Sequence, residues 1–360
     1  MNPPKTPKRM QSLCQITLRE PSYPSWLKLS LAVPLAIALS LTLACNKATS
    51  DPASAAASTK PEPDPSPAPQ PWAPDNSPLP HIDSKRAFEY TREVTAFGPR
   101  YMGNDNHKKL ERYILDHLKN DDLKGDDIET DDFTADTVEG KFPVHNILAK
   151  FPGTKDGIIV IMGHYDTNYP LRNTGYVGAN DGGSSTAILL EYANQLKAAA
   201  HDKKRDGYSV WLVWTDGEEA VKTWSDSDSV YGARHLAETW EKDGTLKKIK
   251  ALLVMDMIGD ADLDIQRNTK GAPWLLDLIY AAAERQGYQS HFYAMRGEIE
   301  DDHIPFFNRG VPTADVIDLD YGYNNVFHHT PQDTMDKLSP KSLEIVGDTI
   351  MEAIHMLDQR

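Results

Sequence analysis

Ile158-Ile159-Val160-Ile161-Met162 runs directly into Gly163-His164-Tyr165-Asp166, five apolar residues followed by a turn that carries an imidazole and a carboxylate. So short an uninterrupted apolar run reads as a strand buried on both faces, the kind found in a largely parallel sheet covered by helices. Val210-Trp211-Leu212-Val213-Trp214 and Ala251-Leu252-Leu253-Val254-Met255 repeat the pattern, with Asp216-Gly217-Glu218-Glu219 after the one and Asp256 after the other. Helical patterns follow or separate them at Ser184 to Ala200, Tyr231 to Trp240, Pro273 to Arg285 and Pro340 to Leu357. The alternation predicts a three-layer α/β/α sandwich around a mostly parallel, mixed central sheet. No internal repeat interrupts it, so residues 81–360 read as one domain.

Open α/β sheets place their sites at the carboxyl ends of the strands, which is where these polar clusters fall. Carboxylates held within a few ångströms of each other repel unless a positive charge sits among them, and a divalent cation is the economical solution. Histidine with carboxylates and no thiolate suits zinc in a catalytic rather than a structural site. Asn180-Asp181-Gly182-Gly183 and His328-His329-Thr330 add further donors of the same kind.

The flanks carry a different message. Lys5, Lys8, Arg9, Arg19 and Lys28 precede the uncharged run Leu29 to Ala44, 16 residues long and containing Pro34. That is shorter than the roughly 20 residues a membrane span needs, so residues 1–44 read as an export signal. Residues 46–80 hold 10 of the 25 prolines, mixed with Ala, Ser and Asp. Such a composition buries too little apolar surface to order itself, so 45–80 reads as a semi-extended tether. Five of the 38 basic and one of the 53 acidic residues lie before Cys45, so the chain beyond that point carries a balance of −19. That argues against a nucleic-acid partner. Cys14 and Cys45 are the only cysteines, which leaves the domain without a disulfide.

The series His164-Tyr-Asp166, Asn180-Asp-Gly-Gly183, Gly217-Glu-Glu219, Met255-Asp-Met-Ile-Gly259 and His329-Thr-Pro-Gln-Asp-Thr334 resembles the zinc aminopeptidase family with co-catalytic metals. Two further segments, Trp224 to Ala237 and Glu300-Asp301-Asp302-His303-Ile304-Pro305-Phe306, are similar to one branch of that fold, the glutaminyl cyclases. The resemblance covers roughly residues 85 to 358 and implies a zinc-dependent catalytic domain. Its expected reaction converts the N-terminal glutamine of peptides or proteins to pyroglutamate with release of ammonia.

The resemblance implies Asp181, Glu219 and His329 as ligands of a single zinc. Glu218 is implied as the group that takes a proton from the attacking amine and returns it to the departing ammonia, while the zinc polarises the γ-carbonyl. Asp256 and Asp301 are implied as a hydrogen-bonded pair sharing a proton beside Glu218, with Asp302 left as a first-turn acid of the helix running toward Phe307. Trp224 and His328 are implied as walls of the substrate pocket, although a buried core tryptophan is the competing reading for Trp224. Asp315 stands where the cyclases often place a histidine. The rival reading is a dizinc aminopeptidase, with His164 and Asp256 holding a second zinc bridged by Asp181. The residue before Cys45 and the run upstream resemble the lipobox of bacterial lipoproteins. This implies acylation of Cys45, a periplasmic, membrane-anchored location and membrane contact through that lipid alone; the domain itself is expected to be a monomer.

Overall fold

The computed structural model describes residues 75–120, 127–200 and 204–360. The expected signal peptide, Cys45 and most of the expected tether lie outside the described residues. Contact with the domain begins upstream of residue 81. Asp75 accepts from Gln359 Nε2 at 2.8 Å, pairs with Arg285 at 3.2 Å and meets His355 Nε2 at 2.7 Å, while Gln286 Nε2 donates to the Pro80 carbonyl.

In chain order the elements are α1 (Ser84–Ala96), α2 (Asp105–Asn120), β1 (Ile128–Thr137), β2 (Gly140–Phe151), β3 (Gly153–His164), α3 (Gly183–Ala200), β4 (Arg205–Thr215) and α4 (Tyr231–Asp243). They continue with β5 (Ile249–Asp256), β6 (Ile265–Asn268), α5 (Pro273–Gln286), β7 (Phe292–Gly297), α6 (Ile304–Phe307), β8 (Thr313–Ile317) and α7 (Pro340–Asp358). Six strands form the central sheet in the order β1-β2-β4-β3-β5-β8. The pairs β4/β3, β3/β5 and β5/β8 are parallel, while β1/β2 and β2/β4 are antiparallel, so the sheet is mixed as the sequence implies. β6 and β7 pair separately.

The apolar runs are explained by two cores. Ile159, Ile161, Val210, Leu212, Trp214, Ala251, Leu253 and Met255 face a core shared with α1, α2, α3, α5 and α7. The alternate residues Ile158, Val160, Met162, Val213, Leu252 and Val254 face a second core built with α4 and Phe306 of α6. Side chains alternate across a strand, so a strand between two helical layers must be apolar at every position. Helix α3 is enclosed as completely: Ala187, Ile188, Leu189, Leu190, Tyr192 and Ala193 are all buried. Burial of each large apolar side chain contributes roughly 1.5–3 kcal/mol, and with no cysteine past residue 45 this packing is the source of stability. Among the described residues no helix is long and apolar enough to cross a membrane.

Candidate active site

Four strand ends deliver the site. β3 ends on His164, β4 gives way to Asp216 through Glu219, β5 ends on Asp256, and β8 is followed by Asp318. Each of these is a place where the sheet stops pairing and a side chain can turn over the edge.

Asp166 sets the geometry of the acidic pair. Its two oxygens accept the backbone N–H groups of Glu218 (3.1 Å) and Glu219 (3.3 Å), which fixes the turn after β4. Glu219 then turns toward His329, whose Nε2 lies 3.1 Å from Glu219 Oε1 and 3.3 Å from Asp181 Oδ2. Asn168 Nδ2 donates to the other oxygen of Glu219 at 2.7 Å. Asp181 is held from behind. Asp333, in the His-Thr-Pro-Gln-Asp-Thr segment, accepts from the amides of Asn180 (2.8 Å) and Asp181 (3.2 Å), and Tyr176 Oη donates to Asp181 Oδ2. Gly182 adopts φ +76°, and a Cβ there would lie 2.6 Å from the Asp166 carbonyl oxygen, so only glycine lets the chain pass.

The other oxygen of Asp181 meets His164 Nε2 at 3.1 Å, and the same nitrogen lies 3.2 Å from Asp256 Oδ1. His164 Nδ1 is buried without a hydrogen-bond partner, 3.5 Å from Asp166 Oδ1 and 4.0 Å from Glu218 Oε2. Burial disfavours the imidazolium, but Asp166, Asp181 and Asp256 overcome it and raise His164 well above its ordinary pKa. His328 comes close as well: it, Asp181 and His329 each offer a donor atom within 4.8 Å of the others. His329 adopts φ +50°, an unusual backbone for a non-glycine residue, at the position expected to hold metal.

Glu218 is buried beside these groups. Desolvation pushes its carboxyl well above the usual range, His164 pulls against that, and Asp301 and Glu219 push the same way as burial. Asp301 is pushed up to about 7, chiefly by burial and then by Asp256. Asp301 and Asp256 both line the same cavity, Asp256 is the largest charge acting on Asp301, and Asp256 Oδ1 lies 3.2 Å from His164 Nε2. An oxygen of Asp315 also comes within 4.8 Å of one of Asp301. The cause is topological: β8 runs parallel to β5 with Asp315 beside Val254, which brings a second carboxyl under the 301 turn. Asp302 is fully buried and accepts from Thr215 Oγ1, and α6 begins only at Ile304, so neither acid sits in the helix's first turn. His303 is buried between Asn268 and Asp315, and desolvation lowers it to about 3, so it is neutral.

Asp181, Glu218, Glu219, Asp256, Asp301 and His329 line a cavity of about 420 Å³ with Trp224, Ile299, Ile317, Leu319 and His328. Trp224 is 37% exposed, which rules out the buried-core reading and leaves it as a wall. The loop that presents it is tied by Asp228, whose oxygens accept from Val221 N (3.0 Å), Lys222 N (3.0 Å), Thr223 N (2.9 Å) and Tyr231 Oη (2.7 Å). At the end of the loop Val230 is forced to φ +44°, a genuine outlier for a β-branched residue. Gly232 follows because a Cβ there would lie 2.2 Å from Asn146 Oδ1. Asp228→Ala removes the acceptor common to three amides, and a loss of roughly 2–3 kcal/mol is expected from the unpaired donors. Trp224 loses its position in the same step, so KM rises several-fold while kcat changes less; a thermal melt and initial-rate kinetics check both parts, and wild-type KM would refute the tie.

Asp181, Glu219, His329, Glu218, Asp256, Asp301, Trp224 and His328 are thus brought to one cavity, with His164 at its base. Sequence reasoning missed Asn168, Tyr176, Asp333 and Arg100. Arg100 is a buried guanidinium donating to the carbonyls of Val177 and Gly178 and closing the back of the acidic site. Desolvation lowers it to about 10, which keeps it charged. Asp333 lay in a motif already singled out, whereas Arg100 carries no sequence signal of its own.

A three-layer sandwich with a buried carboxylate–imidazole cluster at its strand ends defines a metallohydrolase-type fold. Residues 146–354 match the model of peptidase family M28, and the chain belongs to that family. It is 32% identical over 257 residues to a glutaminyl-peptide cyclotransferase of Drosophila melanogaster, covering 65% of this chain and 70% of that one. The crystal structure of an Acidobacteriales bacterium glutaminyl cyclase is 47% identical, with a TM-score of 0.76, covering 80% of this chain and 99% of that one. A Zn-dependent exopeptidase from Parabacteroides distasonis shares the fold at 24% identity, TM-score 0.67, covering 77% and 99%. Within the family, the chain falls in the glutaminyl cyclase branch.

Proposed function

We propose that this chain is a zinc-dependent glutaminyl-peptide cyclotransferase acting on peptides or proteins that begin with glutamine. The observation that carries the reading is the cavity itself: Asp181, Glu219 and Glu218 face His329 and an apolar wall of Trp224, Ile299, Ile317 and Leu319. A glutamine side chain has two methylenes that suit such a wall and a carboxamide that suits the polar end.

The donor set fits zinc. One imidazole and two carboxylates stand 3.1–3.3 Å from their neighbour, the spacing of about 3.3 Å that tetrahedral zinc bonds of roughly 2.0–2.1 Å produce. Asn168 and Tyr176 supply the outer hydrogen bonds that orient such ligands. Zinc held by Asp181, Glu219 and His329 would supply Lewis-acid polarisation of the γ-carbonyl. Glu218 accepts a proton from the α-amine as its nitrogen bonds to the carboxamide carbon. It then delivers that proton to the nitrogen leaving as ammonia, so the carboxylate is regenerated. No water enters the balance. Asp256 and Asp301 line the same cavity as Glu218, and burial raises the carboxyls of Asp301 and Asp315, which makes them able to hold a proton beside it.

A dizinc aminopeptidase is the second reading, favoured by the grouping of His164, Asp181 and Asp256. Incubating the purified protein with a Gln-initiated and a Leu-initiated peptide and following masses separates the two. Loss of ammonia from the first with the second intact is expected; stepwise trimming of both overturns the cyclase. For the N-terminal segment, export through residues 1–44, acylation at Cys45 and a tethered periplasmic location remain our reading, supported by the composition of residues 1–80 and the lipobox-like run before Cys45, and a monomer remains our expectation.

A further inference from the structure

A second cavity, of about 700 Å³, adjoins the first, and Trp224, Glu300 and Asp301 line both. Its floor is one face of α4: Tyr231, Arg234, His235 and Glu238 stand at i, i+3, i+4 and i+7, neighbours on a helix surface. The opposite face of α4, with Ala233, Leu236, Ala237 and Trp240, is in the core. Residues 133–136 of β1 form one side and α6 with Asn308 and Arg309 the other. β1 is the edge of the six-stranded sheet, so one row of its backbone groups has no strand partner among the described residues.

We propose that this groove binds the part of the peptide substrate that follows its first two residues, laid in extended form along β1. The proposal rests on the cyclase reading of the adjoining cavity. A substrate whose amine and glutamine side chain occupy that cavity must leave it through the mouth, and the shared Trp224–Glu300–Asp301 rim opens into this groove. An exposed strand edge offers main-chain hydrogen bonds to any extended peptide, whatever its side chains.

The basic side chains of the groove are already engaged. Arg234 donates to Ser229 and Ser227 carbonyls, His235 contacts Asp131, Lys270 pairs with Glu300, and Arg309 pairs with Glu241. What stays available is the strand edge, apolar surface from Phe133, Ile304 and Phe307, and the single carboxylate of Asp226. The groove therefore selects for peptide length more than for a particular residue, and it would favour long unstructured N-termini over dipeptides.

Steady-state kinetics of the full chain test this with a Gln-dipeptide amide and a Gln-hexapeptide. Glu238→Trp on the α4 floor and Asn308→Trp on the far side fill the groove at exposed positions. Hexapeptide KM is expected to rise about tenfold in each variant, equivalent to about 1.4 kcal/mol of binding, with kcat and both constants for the dipeptide unchanged. Equal hexapeptide KM in wild type and in both variants overturns the groove. Product inhibition of the wild-type enzyme supplies a measurement free of folding effects. The pyroglutamyl hexapeptide should inhibit about tenfold more tightly than the pyroglutamyl dipeptide amide if strand pairing contributes as it does in other edge-strand recognition. Equal inhibition constants overturn the proposal even where a variant fails to fold. Failure of the wild type to cyclise the dipeptide amide would strike the underlying cyclase reading instead.

Discussion

Glu218→Gln lowers kcat by about 100- to 10,000-fold, the range that loss of a positioned acid/base group produces, and leaves zinc content unchanged. The reason lies in how the residue is held. Its backbone N–H is tied to Asp166 and its carbonyl accepts from Val230 N at 2.7 Å, so the amide side chain takes the same place as the carboxylate. The proposed zinc ligands are different groups, and Glu218's nearest ionic neighbour is His164, 4.0 Å away. Binding is therefore retained while proton transfer is lost, because an amide neither accepts the amine proton nor returns it to ammonia. Stability moves the other way. Glu218 is a buried acid whose charged form is penalised by desolvation and by Asp301 and Glu219, so a neutral isostere melts no lower than wild type. Stopped turnover with wild-type metal content and an unchanged or raised Tm is the expected set. Retained turnover would remove Glu218 from its role, and lost zinc would make it a ligand.

How much of this was open to sequence reading depends on what each segment faces. β3, β4 and β5 lie between two helical layers, so their runs are apolar without interruption and announce themselves. β1 and β2 were not named, and the reason is visible in Glu129, Thr130, Asp132, Thr134 and Asp136, exposed residues on an edge strand with solvent on one face. β8 was missed because Asp315 sits in the middle of a fully buried strand, a position that sequence reasoning assigns to apolar residues. It is accommodated by Asn268 Nδ2, which donates at 2.9 Å, while burial and then the Asp301 charge raise its carboxyl well above the usual range. That Asp315 comes near Asp301 depends on strand order and cannot be inferred from spacing. Motifs pointed to the proposed metal donors because each lies beside a strand end or a glycine turn. The residues that orient them, Asn168, Tyr176 and Arg100, come from loops whose approach only the folded chain defines.

Chelation abolishes activity, and the first equivalent of zinc per chain restores it in full. Asp181 stands at the centre of this expectation, since its Oδ2 lies 3.3 Å from His329 Nε2 and its Oδ1 lies 3.1 Å from His164 Nε2. One carboxylate so placed is able to bridge two ions, which is the aminopeptidase arrangement considered above. The two halves differ in what surrounds them. On the His329 side, Glu219 is oriented by Asn168 and faces the cavity where substrate enters. On the other side, His164 is 1% exposed and lies among Asp166, Asp181 and Asp256. A protonated imidazole there offsets the carboxylates by itself, a task a second ion would otherwise perform. With a proton held on His164, a second zinc would have to displace it as it bound. Titration of the metal-free protein, followed by both rate and bound zinc, decides between them. A rate that saturates at one equivalent fits the cyclase, and a rate that climbs until two are bound makes His164, Asp181 and Asp256 a working metal site and returns the chain to peptidase chemistry.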